Sequence, residues 1–102
     1  MITAQTNSTN DVGLLLMISL ASGPKHGHAM LLDVEAFAGV RLGPGTLYGA
    51  LTRLEESGDI EPLEAEGRRQ PYRLTSGGRR KLEERLGGLQ RALTTGLARV
   101  AP

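Results

Sequence analysis

The side chains of this sequence that could carry chemistry are few, and most are hydrogen-bond donors rather than catalysts. His26-Gly27-His28 holds both histidines, and a His-x-His run chelates metals when its backbone is extended. Here both rings fall at the start of an expected helix with no third ligand evident, so capping or surface exposure is the simpler role and no metal is expected. Cysteine is absent, which removes disulfides, thiolate metal sites and a thiol nucleophile. No hydroxyl stands beside a base in a pattern that suggests turnover, so neither an enzyme nor a cofactor is expected. What remains is fixed positive charge and hydroxyl donors: Arg53, Arg68 and Arg69, with Thr46, Tyr48 and Thr52.

The charge is distributed unevenly although the net value is only +1. Glu55, Glu56, Asp59, Glu61, Glu64 and Glu66 form an acidic run without a base. Arg68, Arg69, Arg73, Arg79, Arg80 and Lys81 follow as a basic run without an acid. Such a switch creates a local positive field that the net charge conceals. The alternative is two solvated faces that pair with one another.

Residues 43–57 hold most of the donors, and their ends are marked as those of one helix. Pro44 suits the first helical position, where a missing N–H costs nothing. Gly43 falls at the N-cap, and Gly58 sits where a left-handed residue ends a helix. Leu47, Leu51 and Leu54 share an inward face at i, i+4 and i+7. Gly45, Gly49, Thr52 and Glu56 occupy the far side, flanked by Thr46 and Arg53 on one edge and Tyr48 on the other. Each glycine inside a helix costs about 1 kcal/mol against alanine. A helix with so low an outer face lets a large rigid object approach, and a DNA groove is such an object. Gly49 equally suits tight packing against another protein element.

The surrounding segments position this helix. Residues 1–10 are polar, lack the basic and apolar stretches of a signal peptide, and are expected to be a flexible tail. Asp11 can cap a helix to Ser22, too short to span a bilayer. Its Leu14, Met17, Ile18 and Ala21 form one apolar face, while Val12, Leu16 and Leu20 point elsewhere; one side can pack on its own domain and the other calls for a partner subunit. Residues 22–25 turn into a second helix over 26–37, with Met30, Val34 and Phe37 inward and Ala38-Gly39 closing it. Residues 60–64 and 70–74 read as two short strands joined by a turn at Glu66-Gly67, with Arg68 and Arg69 at the tip. Pro62 and Pro71 restrict that pair to open edges, as in a two-stranded hairpin. From Thr75-Ser76 a last helix carries Leu82, Leu86, Leu89, Leu93, Leu97 and Val100 at coiled-coil spacings, weakened by Gly87-Gly88 and Gly96. The expected fold is mainly α with a small β-hairpin: a winged helix-turn-helix over 11–75 and a C-terminal dimerisation helix over 76–102.

Three ordered motifs resemble one known family. Leu15-Leu16-Met17-Ile18-Ser19-Leu20 followed by Gly23-Pro24 and His26-Gly27 is similar to the opening of PadR-family transcriptional regulators. Pro44-Gly45-Thr46-Leu47-Tyr48, then Ala50-Leu51, Arg53-Leu54-Glu55 and Gly58, resembles their recognition helix. Arg68-Arg69, Tyr72-Arg73-Leu74-Thr75 and Gly78-Arg79 resemble their wing and its exit. The likeness covers about residues 12–90, and the short C-terminal region is similar to the small subfamily without a separate C-terminal domain. It implies a dimeric winged helix-turn-helix, usually a repressor, often relieved by small aromatic or amphipathic compounds. Two positions depart from the pattern: His28 stands where a tyrosine is usual, and Gly49 where a proline is common. Tryptophan is absent, so an aromatic sandwich for flat ligands cannot be carried over.

The expected partners are double-stranded DNA with a palindromic operator, a second copy of the chain and a small hydrophobic effector, without a membrane. Gly45, Thr46, Tyr48, Gly49, Thr52, Arg53, Arg68 and Arg69 are the candidate DNA contacts. Leu16, Met17, Leu20, Leu86, Leu89 and Leu93 are the candidates for an effector pocket or dimer interface. The lack of cysteine fits the cytoplasm. The competing function is a winged-helix interaction module that dimerises without binding DNA, favoured by the low net charge and the acidic run.

Overall fold

The computed structural model describes residues 3–102, with side chains described from residue 12 onward. The elements run α1 (Thr3–Ala21), β1 (Lys25–His26), α2 (Gly27–Ala38), α3 (Pro44–Glu56), β2 (Ile60–Pro62), β3 (Pro71–Leu74) and α4 (Ser76–Val100). Of the expected tail, residues 1 and 2 lie outside the described residues. Helix α1 begins at Thr3, so the boundary expected at Asp11 falls inside it.

Helix α1 is the hub, packed by α2, α3, α4 and β3. Val12, Leu16, Ser19 and Leu20 form its deepest face, with Leu16 0% and Leu20 2% exposed. This corrects the assignment of Leu16 and Leu20 to a surface shared with a partner: four neighbouring elements cover both sides of α1 within one chain. Met17 is also buried, while Leu14, Leu15, Ile18 and Ala21 are the half-covered residues. The buried Ser19 hydroxyl donates to Asp33 Oδ2 at 2.6 Å, tying α1 to α2.

In α2, His26 caps the first turn by accepting the Ala29 N–H on Nδ1. Gly39, at φ 67°, takes the left-handed conformation that closes the helix. Met30 and Val34 are buried as expected, but Phe37 is 45% exposed. Residues 35–41 are exposed throughout, so the last turn of α2 has no neighbouring element to bury it. Helix α3 then buries Leu47, Ala50, Leu51 and Leu54 and is followed by Gly58 at φ 77°.

The sheet has three strands in the order β1-β3-β2, not the two of a lone hairpin. Lys25 and His26, expected in a turn and a helix, pair with Tyr72 and Pro71. The central strand accommodates proline through a side-chain substitute. Leu63 N–H donates to the Pro71 carbonyl at 2.9 Å, and the reciprocal bond of such an antiparallel pair would need the N–H that proline lacks. Gln70 Nε2 supplies it, donating to the Leu63 carbonyl at 2.7 Å. At the wing tip Glu66 and Arg69 exchange both backbone bonds around Gly67-Arg68. Gly67, at φ 63°, satisfies the positive angle that a II′ hairpin turn needs at its first central residue.

Helix α4 runs without a break through Gly87-Gly88. Its start is fixed by Thr75, whose hydroxyl accepts from Gly78 N–H at 2.9 Å and donates to the Gly58 carbonyl at 2.7 Å. Asp59 anchors the same point through its carbonyl, which accepts from Thr75 N–H at 3.0 Å, and its carboxylate, 2.8 Å from Lys81 Nζ. A Cβ on Gly78 would stand 2.1 Å from that carbonyl oxygen, whereas one on Gly77 meets nothing nearer than 3.9 Å. Gly78→Ala should therefore lower unfolding stability by about 3 kcal/mol through overpacking. Gly77→Ala should raise it by about 0.5–1 kcal/mol. Urea denaturation of the two variants measures both.

Candidate nucleic-acid interface

Helix α3 is held by its buried leucines so that Gly45, Thr46 and Thr52 face solvent and Gly49 is half-buried. Thr52 is not a free donor: its hydroxyl returns to the Tyr48 carbonyl at 2.9 Å. It presents a methyl group and oxygen lone pairs outward, which suits a thymine methyl or a base amine better than a phosphate.

The two flanks of α3 face different surroundings. Tyr48 is 52% exposed, and its hydroxyl lies over the start of α2, where a Cβ on Gly27 would be 2.9 Å from it. Together with His26, Gly27, His28, Arg68, Arg69 and Gln70 it lines a concavity of about 440 Å³ between α2, α3 and the wing. Arg53, on the other flank, borders a cleft of about 310 Å³ among α1, α3 and α4. Gly13, Leu14, Met17, Ala50, Leu54 and Leu82 supply its apolar wall, and Lys81 and Arg85 lie at its edge. Tyr48, Arg68 and Arg69 are thus brought together, and Arg53 is set apart from them.

The basic run is sorted by pairing. Arg73 pairs with Glu61 and Lys81 with Asp59, which realises part of the mutual neutralisation that the alternating runs allow. Lys25 Nζ is spent on the Ser19 carbonyl and the Ser22 hydroxyl, and Arg79 reaches the Ala21 carbonyl at 3.3 Å. Among the described residues Arg68 and Arg69 have no carboxylate partner, and both are exposed at the wing tip. Sequence reasoning passed over His26, His28 and Gln70 as neighbours of this surface. The His-x-His run was visible, but its nearness to the wing depends on β1 joining the sheet. Among the described residues no group of three His, Cys, Asp or Glu side chains is placed to hold a metal. No helix among them is long and apolar enough to cross a membrane.

The apolar candidates divide in the same way. Leu16 and Leu20 belong to the core, and Met17 walls the α1–α3–α4 cleft. Leu86, Leu89 and Leu93 continue with Leu97 and Val100 as an outward stripe on α4, Leu93 being 61% and Val100 78% exposed.

The family model for PadR-like transcriptional regulators matches residues 15–84. The chain belongs to that family. The family is described as one of transcriptional regulators. An uncharacterised 37.1 kDa protein in a transposon of Streptomyces fradiae is 51% identical over 75 residues, covering 74% of this chain. The chain spans about a fifth of that relative, 22% of its length. Among solved structures, a transcriptional regulator from Clostridium thermocellum matches with a TM-score of 0.80 at 21% identity, over 99% of this chain and 100% of that one. A PadR-like regulator from Bacillus cereus matches with a TM-score of 0.79 at 21% identity, over 97% and 99%. These likenesses establish the winged-helix fold with its C-terminal helix.

Tyr72, on β3 behind this PadR-family surface, offers a check on the packing. Burial pushes its hydroxyl above the ordinary tyrosine value of 10.0, and Glu55 and Tyr48 push the same way. The fold favours the neutral phenol, so this contribution to stability is complete below pH 10 and is lost as pH climbs through the raised value. In a near-ultraviolet tyrosinate titration, the component removed by Tyr72→Phe should have its midpoint above 10.

Proposed function

We propose that this PadR-family chain is a homodimeric cytoplasmic repressor that binds a palindromic operator and is released by a small amphipathic effector. In this reading α3 enters the major groove, and Gly45 and Gly49 let its backbone come close. Thr46, Thr52 and Arg53 meet base edges, and Arg53 is the side chain chemically suited to guanine. Arg68 and Arg69 contact phosphates or the minor groove from the wing, and Tyr48 donates to the backbone between them. The observation that carries this reading is the meeting of Tyr48 with the carboxylate-free Arg68 and Arg69 beside an α3 whose outer face is low and exposed.

Dimerisation through α4 follows from its stripe. Leu86, Leu89, Leu93, Leu97 and Val100 repeat every three or four residues and stand exposed among the described residues, and such a stripe suits burial by a second helix. Two-fold symmetry then sets half-sites about one helical turn, roughly 34 Å, apart. The cleft walled by Met17, Leu54 and Leu82 touches both α3 and α4. An effector there, with an apolar body and a negative group near Arg53, would alter the angle between the reading helix and the dimer helix.

The exposed Glu55 and Glu56 at the end of α3 favour the rival reading, an interaction module without DNA affinity, because they repel phosphate. Gel shifts at low salt separate the two, since the module leaves duplex DNA unbound. For the repressor, Arg68→Ala with Arg69→Ala should weaken binding to every duplex. It should also reduce the log–log salt slope by about 1.8, at ~0.9 per phosphate contact. Unchanged affinity and slope would remove the wing from the mechanism.

A further inference from the structure

The concavity between α2, α3 and the wing contains more than the arginines and the tyrosine. Its lining holds no carboxylate, and it gathers donors that have no acceptor among the described residues: the Tyr48 hydroxyl, the His28 ring and the guanidiniums of Arg68 and Arg69. The other polar members are locked. Gln70 Nε2 is committed to the Leu63 and Pro71 carbonyls at 2.7 and 2.9 Å, which fixes the floor of the concavity. His26 Nδ1 accepts the Ala29 N–H at 3.3 Å, so in the neutral ring the proton sits on Nε2, a second fixed donor. A volume of about 440 Å³ accommodates a phosphodiester with part of its sugars.

We propose that this concavity seats one phosphodiester of the DNA backbone, with His28 as its titrating contact, so that DNA binding takes up a proton. The proposal rests on the DNA-binding reading above and adds to it a site and a pH dependence. Histidine is the side chain that changes charge between about pH 5 and 8. An anion within a few ångströms favours the charged ring, and a charge-assisted bond to phosphate is stronger than a neutral one. The groups facing His28 are His26 from β1, Tyr48 from α3, and Arg68 and Arg69 from the wing. None of them supplies negative charge and the two guanidiniums disfavour a further cation, so the phosphate is the group that calls for the imidazolium. His26 does not take this role, because a proton on Nδ1 would delete the cap of α2.

The test is fluorescence anisotropy with a labelled mixed-sequence duplex at fixed low salt, since a phosphate seat is indifferent to sequence. The unaltered protein should lose roughly three- to tenfold in affinity between about pH 5.5 and 8. His28→Gln should bind at every pH as weakly as the unaltered protein does at the alkaline end. His28→Lys should bind tightly at every pH, and His26→Asn, which keeps a capping side chain, should retain the pH dependence. His28 is exposed, so unfolding midpoints of its variants should match the parent. A pH dependence that survives in His28→Gln, or disappears in His26→Asn, overturns the assignment. Absence of duplex binding at any pH, in all four proteins, overturns the DNA-binding reading itself.

Discussion

The geometry of the whole molecule hangs on the contact between the Asp59 carbonyl and the bare Cα of Gly78. It joins the end of α3 to the start of α4 at a separation that no side chain permits. Around it, Thr75 caps α4 while holding the Gly58 carbonyl, and Lys81 closes on the Asp59 carboxylate. The α3 exit and the α4 entry are therefore one rigid joint rather than two neighbouring loops. That joint lies between α3 and the helix that carries the exposed stripe, so the orientation of one constrains the other.

A second principle is the division of positive charge. The chain has 12 lysines and arginines but a net charge of only +1, and pairing decides which of them act. Arg73, Lys81 and Arg41 face carboxylates, while Lys25 and Arg79 are engaged by carbonyls. Two members of the acidic run, Glu61 and Asp59, pair with Arg73 and Lys81, while Arg68 and Arg69 at the wing tip and Arg80 on α4 have no carboxylate partner among the described residues. The backbone bond pair between Glu66 and Arg69 and one II′ turn hold Arg68 and Arg69 at the tip of the hairpin. Localised positive charge on a nearly neutral protein limits attraction to the surface that carries it.

The apolar surface is divided with similar economy. From Val12 onward α1 buries Val12, Leu16, Met17 and Leu20 in its own domain, whereas α4 past Leu82 is largely exposed, in a molecule 56 Å along its longest axis. Among the described residues nothing buries the leucine stripe of α4.

Much of this was readable from residue order alone. The caps of α2 and α3, the inward leucines of α3, the wing with its arginine tip and the apolar stripe of α4 all depend on local spacing and turn chemistry, and each is present. Phe37 and the faces of α1 were misjudged because helical periodicity says which residues share a face, not how many neighbours that face meets. The pairing of Lys25 and His26 with β3 was hidden for the same reason, since two residues carry no strand signal without the partner that extends them. Pro71 in the central strand argued against any such partner until Gln70 supplied the missing donor. Residue types and their intervals settled the elements and the chemistry available to them. Packing across the chain settled which leucines are core, which cations are unpaired and which donors meet, because those depend on contacts between segments that the order of residues does not encode.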